Sequence, residues 1–216
     1  EAPAAAAGEP LTLPEVVLPF PVKLQGFSLT NSRLIQGGKT QDLEALALDL
    51  EGQDSKLTIL TAELDHQLAK ITLGGNISLS GDYPLDLALK GTLHKPLLDG
   101  QLEGQTLALT LSDSLQKLKG KLALGGVVEA LATLQAQPLN PELPFDVALN
   151  WQQLGWPLTD PQWQLKQGKL TLKGRLKDYQ LTLKAEGQGP ELPPVGITLA
   201  AKGDLQGARL SPLTLT

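Results

Sequence analysis

The sequence predicts an all-β chain folded as one antiparallel meander, and three observations predict it. Apolar and polar residues alternate at period two along most of the chain, the mark of half-buried strands. Turn-forming residues break the alternation about every ten residues. Glycine recurs on the apolar side in a Leu-x-Gly-x-Leu pattern, whereas helical spacing is almost absent.

The opening stretch, "EAPAAAAGEPLTLPE", is too poor in bulky groups to offset the entropy of ordering it, so residues 1–13 read as a disordered Ala/Pro/Glu-rich linker. Residues 14–216 form the β-rich segment. Its alternating runs are Leu46, Leu48, Leu50; Ile71, Leu73; Ile77, Leu79; Leu85, Leu87, Leu89; Leu107, Leu109, Leu111; Leu122, Leu124; Val147, Leu149, Trp151; Leu170, Leu172; Leu181, Leu183; and Ile197, Leu199. The hairpin "LTLKGRLKDYQLTLKAEG", 170–187, shows the pattern most cleanly. The best helical candidate, "GVVEALATLQAQ" at 126–137, fits alternation as well and reads as a strand. Turn signals fall at "NS" (31), "GG" (37), "GDYP" (81), "HKP" (94), "NPELP" (140), "TDP" (159) and "GPELPP" (189). Their spacing predicts roughly fifteen strands.

Glycine takes an apolar-side position at Gly75, Gly81, Gly91, Gly120, Gly126, Gly174 and Gly203. A strand glycine marks a bulge, a bend or a close approach, and a regular series of them lets a sheet fold sharply about one line. Hairpin turns account for any single one equally well. Leucine fills about a fifth of the chain, while valine, isoleucine and aromatics are scarce. Two architectures satisfy all of this: a closed β-sandwich, and an elongated curled sheet forming a U-shaped trough with an apolar interior.

Composition narrows the function. With 216 residues, 41% hydrophobic, the chain has enough apolar material for a sizeable core. A net charge of -5 with only three arginines leaves no basic stripe for nucleic acid. The absence of cysteine removes disulfides, thiol redox chemistry and thiolate metal sites. No apolar run is long enough to span a bilayer as a helix, so any membrane anchor is expected outside this chain. The two histidines, His66 beside Asp65 and His94 in a turn, read as surface residues, since alternation puts Asp65 and His66 on opposite faces. Asp82 and Asp86 flank a tight turn rather than a cleft. Lys117, Lys119 and Lys121 read as a solvated strand face. Trp151, Trp156 and Trp163 cluster around one long turn, either packing there or partitioning a trough. No catalytic residue, metal site or cofactor is expected.

Two stretches carry a family resemblance. "GKLTLKGRLKDYQLTLKAEG", Gly168 to Gly187, followed after a Pro-rich turn by another strand and "AAKGDL", resembles the TamB family, as does "LPEVVLPFPVKLQGFSLTNSRL" nearer the start. The likeness runs in order from residue 14 to the end. TamB resembles the AsmA-like, bridge-forming lipid transfer proteins, so the resemblance implies the U-shaped trough. It further implies an internal periplasmic segment of a longer protein in a Gram-negative bacterium, conducting phospholipid acyl chains between inner and outer membranes. The inner-membrane anchor and the region meeting the outer-membrane partner TamA would lie outside this chain. On that implication Leu46, Leu48, Ile71, Leu73, Ile77, Leu79, Leu87, Leu89, Leu107, Leu109, Leu122, Leu124, Val147, Leu149, Leu170, Leu172, Leu181, Leu183, Ile197 and Leu199 line the groove, and the seven glycines bend it. Two alternatives stand beside this: a chaperone-like groove handling outer-membrane or autotransporter β-strands, and a ligand-free sandwich spacer.

Overall fold

Alternating side chains settle into a sheet when one face of the pleat can be kept from water. A computed structural model describes residues 11–36, 39–94, 97–158, 160–191, 193–211 and 214–216. Its strands are β1 (Val22–Gln36), β2 (Lys39–Gln53), β3 (Lys56–His66), β4 (Ala69–Ser78), β5 (Pro84–Leu93), β6 (Thr106–Ser114), β7 (Leu118–Gly125), β8 (Ala130–Ala136), β9 (Phe145–Trp156), β10 (Trp163–Arg175), β11 (Asp178–Gln188), β12 (Val195–Gly203), β13 (Ala208–Leu210) and β14 (Thr214–Leu215). They form a single 14-stranded sheet in sequence order from β1 to β13, with β14 joining β12 alongside β13. Every pairing is antiparallel. The former helical candidate is β8, as alternation predicted.

The closed sandwich is not formed. Every pair of strands in substantial contact is a hydrogen-bonded pair, so among the described residues no second layer crosses over the sheet. Among the described residues no side chain is less than 2% exposed, and the buried hydrophobics are only Tyr83, Leu85, Trp151, Ala185 and Ala201. The sheet is open, with β1 at one end and β12 to β14 at the other. At the usual strand spacing its contour is about 60 Å long. The ladder carries register shifts, the kind of irregularity that bends a strand, between Leu24 and Phe27, at two places in the β2–β3 pair, between Ile59 and Ala62, and between Lys166 and Lys169. Gln167 at the last of these has φ +48, and Gly75 and Gly174 adopt φ +135 and +140 within their strands.

One end of the strands is tied together by its own hairpins. Leu79 N donates to Ser55 O (2.6 Å), Leu115 N to Asp82 O (2.9 Å), Leu139 N to Leu115 O (3.3 Å) and Leu176 N to Glu142 O (3.1 Å). A strap of residues 11–18 runs along these tips: Leu11 N reaches Leu139 O (2.9 Å), Val16 N reaches Leu79 O (2.9 Å) and Leu18 N reaches Asp54 O (2.8 Å). Tyr83 adds its hydroxyl, donated to Pro14 O. Of residues 11–13, placed by composition in the linker, Leu11 is bonded to this rim through its backbone. Residues 1–10 lie outside the described residues.

The predicted turns at 81, 140 and 189 connect strands. The "NS" signal does not: Asn31 sits inside β1 at φ +48, where Asn tolerates the left-handed region without ending the strand. The "GG" at 37–38 and the Lys-Pro of "HKP" lie outside the described residues.

Candidate functional site: an uncovered apolar face

Residues directly opposite in a ladder share a face, so the register turns scattered leucines into continuous rows. The central row runs Phe27, Leu48, Ala62, Leu73, Leu89, Leu109, Leu122, Ala132, Leu149, Leu170, Leu183, Leu199, crossing from β1 to β12 without a polar member. On one side of it runs Leu24, Leu50, Ile59, Gly75, Leu87, Leu111, Gly120, Leu134, Val147, Leu172, Leu181, Ala201, Leu210. On the other runs Leu29, Leu46, Leu64, Ile71, Gly91, Leu107, Leu124, Ala130, Trp151, Gly168. Apart from Phe27, members of the central row are half-buried although no other layer lies over them. Concavity supplies that partial cover.

The opposite face is mixed, with charged and hydroxyl side chains at both ends of the sheet and Ala108, Ala123 and Leu131 between them. Beside the central row lie Glu63, Thr72 and Lys90 in one direction and Asn150, Lys169 and Lys184 in the other. Its ion pairs are exposed: Lys23 with Glu51 at 2.7 Å, Lys119 with Asp113 at 2.8 Å and Lys173 with Asp146 at 2.8 Å. Lys119 holds the Asp113 carboxyl below its ordinary value, through its hydrogen bond first and its charge second, and Asp113 raises Lys119 in the same way.

Of the twenty residues singled out by alternation, all but three fall on the three rows. Ile77 extends the face nearer the strap, opposite Leu57 and Leu85, and Ile197 extends it at β12, opposite Ala185 and Leu215. The third, Leu79, lies between strands and bonds through its backbone to Ser55 and Val16.

The glycines divide by role. Gly91 lies under Leu107, Gly120 between Leu111 and Leu134, and Gly203 under the Tyr179 ring, so each gives a neighbour room to lie flat on the face. Gly75 and Gly174 bring backbone against backbone, Asp86–Leu87 and Asp178–Tyr179 respectively. Gly81 occupies the β4–β5 turn at φ +64 with open space around it, and Gly126 follows β7 at φ +125 against Gln105. Gly168, unremarked in the sequence pattern, lies beneath the Trp151 indole, whose Nε1 donates to Leu165 O (3.1 Å).

Alternation also missed parts of the face. Leu24, Phe27 and Leu29 on β1 and Ile59, Ala62 and Leu64 on β3 belong to the rows. Bulges shift the phase of both strands, so an uninterrupted period of two passes them by. Ala130 and Ala132 escaped through small size.

The three tryptophans separate in the fold. Trp151 is buried at 7% exposure, while Trp156 and Trp163, opposite each other in the β9–β10 ladder, are 60% and 52% exposed. Near the strap, a cavity of about 1100 Å³ is bordered by Leu11, Leu13, Leu139, Arg175 and Lys177, with Arg175 paired to Glu142 at 2.5 Å. His66 Nδ1 accepts from Leu68 N in its turn (3.3 Å), and His94 Nε2 lies 4.0 Å from Asp65 Oδ1. Among the described residues no three His, Cys, Asp or Glu side chains are placed to hold a metal, and no helix is long and apolar enough to cross a membrane.

Comparison with known proteins places this geometry. Residues 2–216 match the family described as "TamB, N-terminal domain". The chain is 28% identical over 211 residues to the translocation and assembly module subunit TamB of Haemophilus influenzae, a match covering 92% of this chain and 16% of that relative. The chain therefore spans about a sixth of that relative's length. No solved structure matches it significantly.

Proposed function

The chain belongs to the TamB family, and on that premise we propose that it is a periplasmic section of a lipid conduit. In this reading phospholipid acyl chains lie along the three apolar rows, and headgroups stay in water at the open side of the curl. The observation that carries it is the unbroken central row from Phe27 to Leu199 on a face that no protein layer covers. Each CH₂ kept from water is worth about 0.8 kcal/mol, so exposing one long acyl chain costs on the order of 10 kcal/mol. A continuous apolar floor removes most of that barrier without tight binding. Such a task needs no catalytic group. The inner-membrane anchor and the contact with TamA belong, in this reading, to other parts of the longer protein.

Arginine at Leu109 or Leu172 tests the conduit. Either side chain stands mid-row, and a cation there interrupts the floor while the strand keeps its backbone pairs. Lipid passage should fall at least about tenfold, since burying the charge costs well over 1.4 kcal/mol, with β-sheet content unchanged by circular dichroism. Undiminished passage in a folded variant would count against the proposal.

The family's second implied role, handling client β-strands, draws support from the outer edge of β1, which pairs with no other described strand. Prolines substituted along β1 would impair that role and leave lipid passage intact.

A further inference from the structure

We infer that Trp156 and Trp163 form a rest for the glycerophosphate region of a bound phospholipid, at the lip of the apolar face; this rests on the conduit reading. The two tryptophans are directly paired in the β9–β10 ladder, at the end of the strands away from the strap. The row Leu154, Leu165, Gly187, Val195 connects them to the apolar face, because Gly187 continues the alternation of Leu181, Leu183 and Ala185 on β11. The ring of Trp163 lies against Gly189, which fixes its position on the lip.

Their environment contrasts with that of Trp151 on the floor. Trp151 is buried and its N–H is bonded to Leu165 O. Trp156 and Trp163 are more than half exposed, and among the described residues neither indole N–H has a protein acceptor. Leaving two large apolar rings in water is unfavourable by about 25 cal/mol per Å² of apolar surface. An indole is best accommodated where one side meets hydrocarbon and its N–H meets an ester or phosphate oxygen. A lipid lying with its acyl chains on the floor and its headgroup in solvent presents that boundary at the lip.

The test uses tryptophan emission with bound phosphatidylcholine carrying bromine either near the acyl carbonyl or near the acyl methyl end, comparing the unaltered chain with Trp156→Phe/Trp163→Phe and with each single substitution. Lipid content is measured by mass spectrometry in every sample. The expected result is that carbonyl-proximal bromine quenches the emission lost in the double variant about twofold more strongly than methyl-terminal bromine, while Trp151 shows no such preference. With lipid bound, equal quenching from both positions, none at all, or stronger quenching from the methyl end overturns the inference and leaves the conduit standing. A chain that takes up no lipid overturns both.

Discussion

A β-carbon on Gly168 would collide with the Trp151 indole, whose atoms occupy the space a side chain would need. Gly168→Ala must push the ring aside and break the bond from Nε1 to Leu165 O, at a cost of about 2–3 kcal/mol. Urea unfolding should show that loss together with a red shift of Trp151 emission. Gly207→Ala is the control: nothing lies within 4 Å of its added carbon, so its effect should stay within about 0.5 kcal/mol. Equal losses at both positions would refute the role assigned to Gly168. Asp113 makes a different prediction. Its folded-state value lies below the ordinary 3.8, so the stabilisation from Lys119 is present above that value and disappears as pH falls through the folded one. Lys119, raised above 10.5, retains its share until pH climbs past that value. The difference between the unaltered chain and Asp113→Asn should hence be level at neutral pH and close as pH falls below the ordinary 3.8 and through the lowered folded-state value. Because both groups are open to water, it should be small and fade in salt.

Elements of the sheet were legible in the sequence to the degree that their backbones are regular. β5 and β11 alternate cleanly, and their inward residues stand where alternation put them. β1 and β3 were missed because bulges at Gln25–Gly26 and Leu60–Thr61 displace the phase, and Leu60, although it shares the parity of Ala62 and Leu64, ends up 50% exposed. The strap was invisible for another reason: its order comes from hairpin tips distant in the chain, Asp54, Leu79, Tyr83 and Leu139, rather than from its own composition. Tyr83→Phe removes the hydroxyl that holds Pro14 O, and amide exchange at Val16 and Leu18 should quicken about five- to tenfold. Unchanged exchange there would mean that the backbone bonds alone hold the strap. Along the sheet, protection should be greatest in β5 to β9 and least in β1, β13 and β14, since a sheet without a second layer can fray only from its ends.

For the molecule as a whole, an uncovered apolar face makes stability depend on what occupies it. Added short-chain phospholipid should raise the melting temperature of the unaltered chain progressively with concentration and leave Leu109→Arg nearly unmoved. Stripped of lipid, the chain should bind hydrophobic dyes and associate with itself. A lipid-free monomer that neither binds dye nor responds to phospholipid would refute the open face. The sequence by itself determined that the chain is all-β and that one face is greasy, and in the unbulged strands which leucines share a face, because side-chain direction in a regular strand follows from parity alone. Tertiary structure alone decided that the rows align from Phe27 to Leu199 and that no other described strand folds back over them. Alternation is a local property shared by sandwiches and troughs. Register and the number of layers depend on pairings between distant segments, which parity does not encode.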